Sequence, residues 1–245
     1  MDKQLFQEVC SMIIDQDIER SGIGTLSEKT IHAVLKSYFS PDSLNHEQKV
    51  HSYVADILKD DQIIEIQTRN FNLLRKKLEV FLPEHKVTIV YPVSHTKWLC
   101  WVNEETGEVT KPRKSPKVGS PAIIFPELYR IKNYLIHPNL SLHIVMLDVE
   151  EYRLLNGWSS DKKRGSTRND GIPVNLADEI ILKESSDYLQ LLPDNLPKQF
   201  TTKDYKKAAH VSQNNAWTAL NILSYLNVIK QVGKQQNLHV FEIIH

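Results

Sequence analysis

The feature that most constrains this chain is a pair of short apolar segments, each interrupted by one acid and joined by a two-residue acidic turn. Residues 54–58 read Val-Ala-Asp-Ile-Leu and residues 63–67 read Ile-Ile-Glu-Ile-Gln, with Asp60 and Asp61 between them. Short apolar runs bounded by turn residues predict strands, and a reversal at Asp60-Asp61 makes them an antiparallel pair. That reversal sets Lys59 against Gln62, Leu58 against Ile63 and Asp56 against Glu65. Directly opposed side chains have Cβ atoms about 4.5–5.5 Å apart, and like charges so placed destabilise a sheet. A divalent cation compensates them, as does a proton shared between the acids. Asp-Asp is a weaker hairpin dipeptide than Asn-Gly or Asp-Gly. A bulge there would part the acids, so the plainer alternative is two edge-of-sheet carboxylates.

The flanking sequence supplies elements to cover such a hairpin. Residues 3–20 have helical spacing in Leu5, Phe6, Val9, Met12 and Ile13. Thr25-Leu26-Ser27-Glu28 has capping-box spacing and opens a second helix with Ile31, Val34, Leu35 and Tyr38 on one face. A third helix is predicted over Asn70–Leu82, with Phe71, Leu74, Leu78 and Phe81 inward and Pro83 as its stop. Lys86–Tyr91 reads as a strand buried on both faces. Strand, helix, strand in this order implies a right-handed parallel crossover. A hairpin over 97–109 turning at Glu105-Thr106-Gly107, a helix near Pro126–Ile136 and a buried strand over Leu142–Leu147 follow. Trp98 and Trp101 flank Leu99 in that hairpin and are expected to share a face, packed in the core.

The C-terminal residues change character. Thr202–Ala209 and Ser212–Leu226 predict two helices parted by a turn at His210-Val211, and Val228–Val232 and Leu238–Ile243 predict strands. The expected division is a domain over 1–184, a proline-containing linker over 185–199 and a small domain over 200–245.

Composition narrows the function classes. With 41% hydrophobic and 24% charged residues, the chain matches ordinary soluble proteins, and no apolar run approaches the ~18–20 residues of a membrane span. The N-terminus has acidic residues and no small-residue cleavage site, so the expectation is a cytoplasmic protein with no membrane partner. Cys10 and Cys100 are far apart and form no zinc-ligand spacing; Cys100 lies in an apolar run and reads as a buried thiol. A formal net charge of +0 argues against a wholesale basic coat. Local clusters remain at Lys111, Arg113, Lys114 and Lys117, and at Lys162, Lys163, Arg164 and Arg168. Local fields are what a phosphate backbone meets; the plainer alternative is that both loops are solvated.

The acid pair suits hard-cation chemistry. Mg²⁺ (or Mn²⁺) prefers carboxylate oxygens and retains waters, and metal-bound water attacks phosphodiesters readily. Asp56 and Glu65 are the expected ligands, joined by the Ile66 carbonyl. Gln67, one pleat from Glu65, would position the attacking water. Glu28, three residues before Ile31, would assist the metal from the second helix.

Val54-Ala55-Asp56-Ile57, then Ile64-Glu65-Ile66-Gln67-Thr68, with Glu28 on the preceding helix, resembles the PD-(D/E)XK nucleases, in particular the Glu-x-Gln branch of the CoiA-like kind. The resemblance covers Glu28 to Tyr91. It implies a restriction-endonuclease-like α/β fold, a mixed sheet flanked by helices, and Mg²⁺-dependent cleavage of DNA. Most members carry Lys where Gln67 stands, a role that Lys76 or Lys77 on the next helix would take over spatially. Phe200–Ile243 resembles winged-helix domains, with Ser212 as N-cap of the second helix. Gln213, Asn214, Asn215 and Thr218 would then face the major groove, where Gln and Asn recognise adenine. Lys203, Lys206, Lys207, Lys230 and Lys234 would neutralise phosphates, Asp161–Arg168 would clamp the DNA, and Trp217 is expected as a core anchor. The expected function is a DNA endonuclease, for which double-strand cutting would favour a homodimer. The alternatives are a catalytically inactive nuclease-fold DNA-binding or regulatory protein, and an RNA- or protein-interaction module.

Overall fold

The computed structural model describes residues 2–21, 29–103, 105–155 and 167–244, with side chains outside 15–21, 29 and 167–170. In chain order the elements are α1 (Lys3–Ser21), α2 (Lys29–Phe39), β1 (His46–Val50), β2 (Tyr53–Lys59), β3 (Gln62–Ile66), α3 (Arg75–Phe81), β4 (Lys86–Val102), β5 (Arg113–Lys114), α4 (Phe125–Arg130), β6 (Leu140–Leu154), β7 (Thr167–Leu182), β8 (Gln199–Thr201), α5 (Thr202–Ala208), α6 (Gln213–Tyr225), β9 (Ile229–Gln235) and β10 (Leu238–Ile243). The architecture is mixed α/β. A seven-stranded sheet has the order β1-β2-β3-β4-β6-β7, with β5 attached to β4, and a three-stranded sheet has the order β8-β10-β9.

Two compact units share these elements. One comprises Met1–His46, Pro92–Gly119 and Val145–Glu179; the other comprises Glu47–Tyr91, Ser120–Ile144 and Ile180–His245. The 185–199 segment expected as a linker falls inside the second unit. Ser185–Leu191 winds into a 3-10 helix that buries Tyr188 and Leu191. The segment therefore carries core residues of its own.

In the second unit, β2 and β3 pair antiparallel with Ile57 opposite Ile64, Leu58 opposite Ile63 and Lys59 opposite Gln62. This is the register expected from the sequence. The turn works although its dipeptide is weak. Asp60 takes φ 52°, a left-handed conformation that Asp tolerates, and Asp61 is held from outside the hairpin. Its carboxylate meets His85 Nδ1 at 3.1 Å, and its carbonyl accepts the Lys86 amide at 3.2 Å. β3 then pairs parallel with β4, Gln62 with Lys86 through Ile66 with Val90, as the strand–helix–strand order requires. Between them Phe71–Leu74 forms a 3-10 turn leading into α3, and Phe71, Leu74, Leu78 and Phe81 are all buried.

β4 is longer than expected and passes straight through Pro92. Proline lacks the amide a ladder needs. The last bond from β3 is donated by the Gln67 amide to Val90, and β3 itself stops at Ile66. Pro92 thus lies just past the end of that ladder.

In the first unit, Phe6, Val9 and Cys10 of α1 are buried, as are Ile31, Val34 and Leu35 of α2, whereas Met12 is exposed. Phe6 and Tyr38 meet edge to face at 5.5 Å. The expected turn at Glu105-Thr106-Gly107 is present, with Gly107 at φ 71° and its amide donating to the Asn103 carbonyl. Cys100 is buried as expected, and burial, with the Glu150 charge, pushes its thiol up. Trp98 and Trp101 correct the expectation of a shared face. Three residues apart on one strand, they point to opposite faces, both half-exposed, and they line different cavities. β7 was not anticipated at all. Its Asn169, Asp170, Gly171, Pro173 and Asn175 read as turn residues, which an outermost strand accepts more readily than a central one.

At the C-terminal end of the second unit, Thr201 and Asp204 form a reciprocal capping box on α5, and Ser212 caps α6 by accepting the Asn215 amide at 3.2 Å. Ala216, Ala219, Leu220, Ile222 and Leu223 are its buried stripe. β9 and β10 form the expected hairpin, and β10 also pairs with β8.

Candidate active site

The acids opposed by the β2–β3 register lie at the end of the hairpin distal to its turn. The backbone pairing of the two strands runs as far as Ile57 and Ile64, and beyond it a side chain takes over. The Ile66 amide donates to Asp56 Oδ2 at 2.7 Å, giving a buried N–H a charged acceptor. Glu65 is 2% exposed and Asp56 half-buried, while their strand neighbours Ala55, Ile57 and Ile66 alternate to the other face and are buried there.

A lysine occupies the place between helix and hairpin. Lys77 stands on α3 just off the inner stripe. Its ammonium donates to Glu65 Oε1 at 3.0 Å and Oε2 at 2.8 Å, and to the Val54 carbonyl at 2.7 Å. Three donors on one nitrogen are thus used on the two strands. Of Lys76 and Lys77, it is Lys77 that reaches the acids, and Lys76 is exposed. A lysine from the next helix is a third form of compensation, beside the cation and the shared proton.

The electrostatics follow from burial. Desolvation pushes the Glu65 carboxyl up to about 7; the Asp56 charge raises it further, while the Lys77 charge and hydrogen bond pull it down. Burial wins because desolvating a carboxylate costs more than one partly solvated lysine returns. Two acids against one ammonium leave the cluster one negative charge in excess when both are ionised, which attracts a further cation or a proton.

The other predicted residues are distributed as follows. Gln67 is half-buried, its side-chain amide donating to the Arg69 carbonyl, so its nitrogen is turned to the chain after β3. Glu28, Lys162, Lys163 and Arg164 lie outside the described residues, as does the Arg168 side chain. Among the described residues no group of three or more His, Cys, Asp or Glu side chains converges in a metal-ligating cluster. Lys203, Lys206, Lys207, Lys230 and Lys234 are exposed, as are Gln213 and Asn214. Asn215 and Thr218 are half-buried, and the Thr218 hydroxyl bonds back to the Asn214 carbonyl at 2.9 Å. Trp217 departs from the core-anchor expectation, for it is 56% exposed. It projects away from the buried stripe of α6 and meets Tyr129 of α4 at 6.3 Å. Beside it Lys132 donates to Asn221 at 2.8 Å and lies 4.6 Å from the Tyr225 ring centre. Glu127, which no sequence pattern singled out, caps the 3-10 turn before α3 by accepting the Phe71 amide at 2.8 Å.

The hairpin, α3 and β4 all fall within residues 29–183, which match the model of DUF8091, a domain of unknown function. The chain belongs to the DUF8091 family. An uncharacterized protein of Treponema pallidum (strain Nichols) is 37% identical over 147 residues, 60% of this chain and 56% of the relative. The match therefore spans little more than half of that relative's length. No solved structure matches the chain. Asp56, Glu65 and Lys77 lie inside the DUF8091 segment, and α5, α6, β9 and β10 lie beyond it.

Proposed function

We propose that the protein is a metal-dependent DNA endonuclease with a restriction-endonuclease-like core and a C-terminal winged helix. The observation that carries this reading is Glu65, buried within reach of the Asp56 charge and bound through both oxygens by Lys77. A buried carboxylate beside a like charge is expensive to keep unless something uses it.

The donor set fits a hard divalent cation: two carboxylates with excess negative charge, on strands fixed by register. Asp56 and Glu65 would hold Mg²⁺ or Mn²⁺, and the bound ion supplies an acidified water and charge stabilisation for phosphodiester hydrolysis. Lys77 holds an ammonium at the same carboxylate, and it would meet the charge developing on a phosphate once a metal ion replaced it at Glu65. Gln67 keeps its side-chain oxygen for orienting water while its nitrogen is anchored at Arg69. Exposed Gln213 and Asn214 at the start of α6, with the lysines of α5 and β9, support DNA as the partner.

A second reading has its own observation. Lys77 engages both oxygens of Glu65, which is the closed ion pair expected of a non-catalytic DNA-binding or regulatory protein on the same fold. Plasmid nicking separates the two. Cleavage that needs Mg²⁺ or Mn²⁺ and vanishes in Asp56→Asn and Glu65→Gln, with unchanged circular dichroism, supports the nuclease. DNA binding without cleavage of any DNA form, with either metal, defeats it.

A further inference from the structure

The basic run Lys111–Lys117 is not a loose loop. Tracing it along β4, the Thr110 amide donates to the Trp101 carbonyl, the Ser115 amide to Lys97 and the Gly119 amide to His95. Between these ties Arg113 and Lys114 pair as β5 with Leu99 and Trp98. Gly119 seats so closely that a Cβ would lie 2.0 Å from the Ser94 carbonyl oxygen. The cations therefore stand in fixed register beside the tryptophan.

Directly opposed residues share a face, so Lys114 projects on the Trp98 side, its ammonium 5.9 Å from the indole centre. On this side a cavity of about 510 Å³ is lined by Trp98, Lys111, Pro112, Glu150 and Val174. Lys111 and Lys114 are exposed, whereas Trp98 and Glu150 are half-buried. Glu150 is oriented by the Tyr152 hydroxyl, which donates to it at 3.1 Å.

We propose that this cavity binds one unpaired nucleotide of a nucleic-acid strand, its base stacked on Trp98 and its phosphates on Lys111 and Lys114. The choice of nucleic acid rests on the nuclease reading; the site and its occupant class rest on the distribution of charge. Cations at the rim and a carboxylate in the lining match a ligand that is anionic at its backbone and donates hydrogen bonds from its base. An acidic peptide would set its carboxylates against Glu150, and a cationic ligand would meet the lysines first. A base inside a duplex already has both faces stacked, so a tryptophan stacks only on a base of a single or locally opened strand. A carboxylate accepts from the exocyclic amines of cytosine and adenine, which thymine lacks.

The test uses the full chain in EDTA, with fluorescence anisotropy on labelled dA12, dC12 and dT12. Wild type is expected to bind dA12 and dC12 more tightly than dT12. Trp98→Ala should weaken binding about tenfold, within the range for loss of one stacking partner, and Trp98→Phe should recover most of it. Glu150→Gln should narrow the gap between dC12 and dT12. Lys111→Ala with Lys114→Ala should reduce the slope of log affinity against log salt by about 1.4. Unchanged binding in Trp98→Ala overturns the proposal, as does equal affinity for a poly-glutamate peptide, which would assign the surface to acidic protein segments. Plasmid cleavage in Mg²⁺ is scored separately. Oligonucleotide binding that depends on Trp98 without any cleavage sinks the nuclease and keeps this site; cleavage with a neutral Trp98→Ala does the reverse.

Discussion

Two carboxylates, one in each unit, are treated in opposite ways. Glu65 on β3 faces another acid and one lysine, and burial pushes its carboxyl up to about 7. Asp148 on β6 is also desolvated, but Asn175, His95 and Thr96 all donate to it and together hold its carboxyl below the usual range. Asn175 Nδ2 reaches it at 2.9 Å, the Thr96 amide at 3.2 Å and His95 Nδ1 at 3.3 Å. Hydrogen-bond donors from three residues satisfy the Asp148 oxygens, which is what a structural carboxylate needs. Glu65 keeps a charge conflict that no neutral donor resolves. The contrast separates an unresolved charge conflict, as at Glu65, from burial alone.

Four outcomes would break or sharpen that contrast. The largest concerns activity. Glu65→Gln or Asp56→Asn should lower metal-dependent cleavage by more than about a hundredfold, whereas Asp148→Asn should leave the rate per folded molecule unchanged in the same nicking assay. Equal losses in all three would erase the distinction.

The second concerns Lys77. Lys77→Met leaves Glu65 buried without its cation and should cost about 3 kcal/mol in denaturant unfolding. Combining it with Glu65→Gln should restore much of that loss, and strict additivity of the two changes would show that the pair does not interact.

The third is the pH dependence of stability. Glu65 binds its proton more tightly folded than unfolded, so the stability it contributes is present below its ordinary value of 4.5 and is lost as pH rises toward about 7. Asp148, held low, contributes stability above its ordinary value of 3.8 and loses it as the solution is acidified below that. Urea midpoints followed from pH 3 to 8 should therefore flatten between 4.5 and 7 in Glu65→Gln, and at the acid end in Asp148→Asn. The smallest effect is expected for His95→Ala. It removes one of three donors from a half-exposed position and should shift stability by less than about 1 kcal/mol, leaving cleavage unaltered.

The two sites were unequally legible. Asp56 and Glu65 each interrupt a short apolar run on either side of a two-residue turn, so strand period and reversal point alone predict that they face each other. Nothing comparable marks Asp148. It lies within the run Leu147-Asp148-Val149, and its donors come from residues 95, 96 and 175, separations that carry no local pattern. Lys77 lies between these cases. Its helix was plain from the spacing of Phe71, Leu74, Leu78 and Phe81, but Lys76 and Lys77 were equal candidates until helix rotation over the hairpin decided between them. Trp217 shows the opposite error. An aromatic beside an apolar stripe suggested burial, yet position 217 turns outward when Ala216, Ala219, Leu220 and Leu223 face in.

By itself, then, the sequence determined what depends on short-range periodicity. That covers the hairpin register, the inner face of α3, the parallel step from β3 to β4, and the two helices and hairpin of the C-terminal segment. Each of these is encoded within roughly a dozen residues, where side-chain alternation and turn chemistry act directly. Tertiary structure alone decided which lysine meets Glu65, that β4 continues beyond Pro92 and that the turn-rich 167–182 segment is a strand. Those outcomes depend on neighbours distant in the chain, which supply hydrogen-bond partners or leave them out, and no local pattern records that.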